Sequence, residues 1–191
     1  PIISMALEYD DGSFTQMIGV YPIQALNSVT FNSGSTPDER GMIFELPAPM
    51  LVGGVVIRMN VASNSLAVPI ILYRADTYEV LRTSSMIGFT GASRHMNLRF
   101  DTVIRMEANN PYILTVKPDS ATNVTLYDFD VNSSDLMNMM EGGTTWQYAE
   151  RTNDGDWTFT ANKRPWMSLW VTGIDHDISG GSAGPGDEDI P

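Results

Sequence analysis

The sequence predicts an all-β protein, an antiparallel β-sandwich, on three observations. From about residue 40 onward, short apolar or alternating runs are separated by Gly, Pro, Asn, Asp and Ser, the punctuation of strands joined by turns. Apolar residues almost nowhere recur with the 3.6-residue period of a helix. The runs are also rich in β-branched and aromatic side chains, which fit a pleated, half-buried surface.

Nine runs qualify as strands. MIFEL (42–46) opens the series and is closed by Pro47 and Pro49, which confine ELPAPM to an edge or a connection. VGGVVIRMNV (52–61), VPIILYRA (68–75) and MNLRFD (96–101) follow. A turn at Asn109, Asn110 and Pro111 hands over to YILTVKP (112–118), and TLYDFDV (125–131) comes next. WQYAER (146–151) and WTFTA (157–161) flank Asp154-Gly155, a strong hairpin signal, and MSLWVTG (167–173) is last. The one expected helix is SSDLMNMMEG (133–142), about two turns capped by Ser134 and stopped by Gly142 and Gly143.

Three segments follow from this reading. Residues 1–36 scatter Ile18, Val20, Tyr21, Ile23 and Leu26 among turn formers, as an extended arm or an extra strand pair would. Residues 37–174 form the sandwich, and 175–191, rich in Gly and acid, form a flexible tail that is too poor in apolar groups to fold alone.

Composition narrows the function. No cysteine is present, so disulfides, thiolate metal sites and cysteine nucleophiles drop out. A net charge of -12, from 11 basic and 23 acidic residues, disfavours nucleic acid and anionic membranes as partners. No apolar run approaches the roughly 18 residues of a membrane helix, so a soluble protein without a membrane partner is expected.

Catalytic chemistry finds little support. His95 and His176 lack any nucleophile context. Asp128 and Asp130 share one strand face, yet alternation with Phe129 and Val131 is what any half-exposed strand shows. YDDGS (9–13) and NDGD (153–156) gather oxygen ligands that could hold calcium, but both read more simply as turns, so no cofactor is expected. PDERG (37–41) reads as a solvated turn, and the sequons at Asn123 and Asn132 as accidental.

The four tryptophans divide. With Asp154 and Gly155 as the central turn residues, Trp146, Tyr148 and Glu150 share a face with Trp157 and Phe159, opposite Gln147, Ala149, Arg151, Thr158 and Thr160. That aromatic face reads as core. On the last strand Met167, Leu169 and Val171 take one face, leaving Trp166 and Trp170 on the other, roughly 13 Å apart at 3.3 Å per residue. Trp166 and Trp170, together with Arg164 and Tyr148, are the candidate ligand or partner contacts.

In DERGMIFELPAPMLVGGVVIRMNV, PIILYRADTYEVLRTSS, FDTVIRMEANNPYILTVKP and WQYAERTNDGDWTFTANKRPWMSLWVTGID, residues 37–173 resemble a loose family of jelly-roll-like or galactose-binding-like β-sandwiches in tailed-phage virions and secreted surface proteins. The resemblance implies a non-enzymatic structural, decoration or appendage protein of a bacteriophage head, neck or tail fibre, assembled in the host cytoplasm. Its implied partners are copies of itself, with a trimer expected, and other virion proteins. A carbohydrate-binding module for surface glycans, with or without calcium, is the alternative. No catalytic residues are carried over from the resemblance.

Overall fold

In the computed structural model the described residues are 5–8, 14–19, 26–46, 48–63, 66–87, 94–130 and 146–174. They form two antiparallel sheets and, among the described residues, no helix. The expected helix at 133–142, the acidic tail and the YDDGS loop lie outside the described residues.

The larger sheet comprises β1 (Met5–Glu8), β2 (Phe14–Gly19), β3 (Asn27–Phe31), β5 (Met50–Val61), β8 (Arg94–Met106), β10 (Val124–Asp130), β13 (Lys163–Pro165) and β14 (Met167–Ile174). The smaller comprises β4 (Glu39–Glu45), β6 (Ala67–Arg74), β7 (Val80–Ile87), β9 (Pro111–Val116), β11 (Gln147–Arg151) and β12 (Thr158–Thr160), in the order β12-β11-β4-β9-β6-β7. In the larger sheet β14 and β8 flank β5, the β1–β2 hairpin extends the sheet from β14, and β10 joins β3 and β13 to the far end of β5.

Period-two alternation decides what lies between the sheets. Val55, Ile57, Met59 and Val61 of β5 meet Met42 and Phe44 of β4 and Leu114 of β9 in one continuous core. Met167, Leu169 and Val171 of β14 join the same core, as their shared face predicts. Phe44 packs against Trp146 with ring centroids 5.3 Å apart. Gly41 of β4 sits where a Cβ would collide with the carbonyl oxygen of Leu114, so β4 and β9 can close only on glycine.

The hairpin differs from expectation by one residue. Asn153 and Asp154, at φ of 50° and 56°, occupy the two central positions, and the Gly155 N–H donates to the Thr152 carbonyl at 2.9 Å. The turn therefore centres on Asn-Asp rather than Asp-Gly, and an added residue before β12 pairs Ala149 with Phe159 and Glu150 with Thr158. One step of register turns a side chain to the opposite face. Trp157 and Phe159 thus leave the face of Trp146 and Tyr148: Trp157 caps the outer side of the smaller sheet and Phe159 is exposed.

Under Trp157 lies a second cluster with Ile71, Tyr73, Ile113 and Ala149, and beside it a buried charge network. Glu39 is fully buried, which corrects the reading of PDERG as a solvated turn. Its carboxylate accepts from Tyr73 Oη at 2.9 Å, Thr115 Oγ1 at 2.6 Å and Arg151 Nε at 2.8 Å. The Arg151 guanidinium lies 4.5 Å from the Trp157 ring. On the inner side of the same two strands Arg40 pairs with Glu150. The dipeptides Glu39-Arg40 and Glu150-Arg151 run antiparallel, so one register satisfies both faces with opposite charges.

Candidate functional site

The sequence candidates separate into two buried and two half-buried residues. Tyr148 is buried, its hydroxyl accepts from Arg40 Nη1 at 3.1 Å, and Lys163 Nζ sits 4.4 Å from its ring. Burial pushes the phenol up to about 12. Arg164, opposite Phe129 of β10, is also buried. Its Nη1 donates to the carbonyls of Ala161 and Lys163 at 2.6 and 2.7 Å, and burial pushes its pKa down to about 10. Both side chains are buried and hydrogen-bonded within the chain.

Trp166 and Trp170 lie on the outer face of the larger sheet, each half-buried. Backbone bonds fix Trp166 just before β14: its N–H donates to the Tyr127 carbonyl at 2.8 Å and its carbonyl accepts from Arg58 N–H at 3.0 Å. The Arg58 guanidinium stands 4.4 Å from the Trp166 ring centroid and 5.7 Å from that of Tyr127. His95, opposite Arg58 on β8, meets Trp166 edge-on at 4.6 Å. Burial and the Arg58 charge hold the His95 imidazole below its ordinary pKa, so at neutral pH it presents a neutral ring.

Trp170 pairs with Gly54 of β5 on one side and Met17 of β2 on the other. A Cβ on Gly54 would strike the Leu98 carbonyl oxygen, so β5 and β8 close tightly beside the indole. The Trp170 indole N–H is shielded from solvent and has no hydrogen-bond acceptor among the described residues. Together these side chains make a shallow ledge of ring faces and guanidinium, suited to contact rather than bond chemistry.

Arg58, His95 and Tyr127 are the members that sequence reasoning missed, since they come from three strands and only the β5–β8 and β5–β14 registers and the Trp166 N–H bond to the Tyr127 carbonyl bring them together. His95 was visible as one of two histidines, but nothing in its neighbourhood pointed to Trp166.

Asp128 and Asp154 are both taken by ion pairs within the chain. Asp128 is fully buried, with Lys163 Nζ 3.2 Å from Oδ2, close enough for an ion pair but not aligned as a hydrogen bond. Burial raises its pKa, opposed by Lys163. In the NDGD loop, Asp154 is taken by Lys117 and Arg151, and among the described residues no group of three His, Asp or Glu converges as a metal site. No protein-family model and no curated protein matches this chain.

Proposed function

We propose that the chain is a non-enzymatic structural or appendage module of a virion, working through contacts between subunits and with other virion proteins. The observation that carries the contact role is the ledge around Trp166 and Trp170: two large aromatics stay half-buried on a sheet face while the buried acids and bases brace the interior. The virion setting rests on the resemblance of residues 37–173 to phage sandwiches. The test is incorporation into purified particles. The Trp166→Ala, Trp170→Ala double variant should melt cooperatively yet enter particles at least about tenfold less than the unaltered chain, as loss of aromatic anchors at an interface core predicts. Equal incorporation, or absence of the unaltered chain from particles, overturns the reading.

A second reading, recognition of surface glycans, is favoured by the neutral His95 edge and the Arg58 guanidinium beside Trp166, which supply polar groups around a ring face. Binding on a glycan array that disappears in Trp166→Ala with the fold intact would decide for it.

A further inference from the structure

Two strand edges face the same side of the sandwich, where Arg82 of β7 reaches Thr102 of β8, and they are protected very differently. The β8 edge that no described strand covers carries Arg99, Asp101 and Arg105, the charges that normally discourage strand addition. The β7 edge, VLRTSSMI, has no proline, no glycine and no carboxylate. Its single charge is turned away, because Arg82 Nη2 donates to Thr102 Oγ1 at 2.5 Å and the guanidinium lies 6.0 Å from the Phe100 ring. Val80 and Ile87 are 51% and 50% exposed at its two ends. Among the described residues β7 pairs only with β6, and no described strand takes up the backbone groups of its other side.

We propose that the β7 edge pairs with the same edge of a second copy, antiparallel, across a two-fold axis at Ser84. A bulge at Leu81 ends the regular stretch, which runs from Arg82 to Ile87, and a two-fold at Ser84 takes Arg82–Met86 into the pairing and leaves the exposed Ile87 outside it. A two-fold normal to the sheet keeps each face on its own side, so opposed residues have equal parity. Centred on Ser84, the pairs are Arg82 with Met86, Thr83 with Ser85, and Ser84 with itself, and no like charges meet. In a chain of net charge -12, a stretch without acid is where a second copy can approach. Self-pairing of this kind needs a two-fold, so it yields even-numbered assemblies and not the three-fold trimer expected from the sequence.

The absence of cysteine makes the test clean. Directly opposed residues lie roughly 5 Å apart, within disulfide reach, whereas Ser85 and its copy, offset by two residues, lie roughly 8 Å apart. Ser84→Cys should therefore form a covalent dimer on mild oxidation at least about tenfold faster than Ser85→Cys. Sedimentation of the unaltered chain should show a concentration-dependent dimer with a dissociation constant on the order of 10 µM, as so small an interface allows. Lysines at the exposed positions in the Thr83→Lys, Ser85→Lys variant should return it to monomer with its melting curve retained. A monomer or a trimer of the unaltered chain, or equal cross-linking at 84 and 85, overturns the proposal.

Discussion

The two outward faces of the sandwich treat tryptophan in opposite ways. On the smaller sheet Trp157 folds over Tyr73 and Arg151, closing a network in which Glu39 has no exposed surface. On the larger sheet Trp166 and Trp170 lie half-buried beside Arg58, His95 and Gly54. Residue type does not distinguish the two cases. Register does, because one added residue before β12 carries Trp157 to the outer face, whereas Trp166 and Trp170 lie where alternation with Met167, Leu169 and Val171 puts them.

The strongest test removes the charge that the first face seals. Glu39 is satisfied by Tyr73, Thr115 and Arg151, with Lys117 Nζ at 3.6 Å. Arg151→Ala leaves that carboxylate buried without its main counter-charge, and urea unfolding should show a loss of about 3–5 kcal/mol. Adding Glu39→Gln to that variant should recover part of the loss, because it removes the stranded charge. A cost below about 1 kcal/mol for Arg151→Ala would mean that water reaches Glu39 and that the two faces are not different in kind.

The next effect compares the indoles themselves. Trp157→Ala removes a lid that is 8% exposed and should cost about 3 kcal/mol or more. Trp170→Ala, at a half-buried position, should cost about 1–2 kcal/mol. Thermal melts of the two variants side by side measure the gap. If Trp170→Ala is as damaging as Trp157→Ala, the ledge is core and the contact reading loses its footing.

How much of this was legible follows from the same physics. The sandwich itself was readable, because alternation and punctuation report burial directly: Met167, Leu169 and Val171 point inward as their spacing required. β7 was not, since Arg82-Thr83-Ser84-Ser85 looks like a polar loop and becomes a strand only because β6 supplies a ladder beside it. β13 was hidden for the same reason in Lys-Arg-Pro. The network at Glu39 could not be read from PDERG, because its partners Tyr73, Thr115 and Arg151 sit on β6, β9 and β11 and meet only through cross-strand register. Trp157 was misplaced by a single residue, the one added before β12, which turns it to the other face, whereas moving the turn centre alone would not have done so.

The smallest expected effect lies between the sheets, at Asp128, and it bears on whether every buried charge here is as well matched as Glu39. Neither Asp128 oxygen accepts a hydrogen bond from a described residue, and desolvation raises its pKa despite Lys163. A carboxyl raised on folding binds its proton more tightly in the native state, so stability is lost as pH rises from the ordinary carboxylate range through the raised folded pKa. Asp128→Asn removes that loss, and Lys163, about a quarter exposed, can turn its ammonium to water. The variant should be more stable than the unaltered chain at pH 7 by on the order of 1 kcal/mol, with the difference closing as pH falls into the carboxylate range. Denaturant midpoints at pH 4 and pH 7 measure it. A variant that is less stable at pH 7 would show that attraction to Lys163 outweighs desolvation, and that Asp128, like Glu39, braces the sandwich.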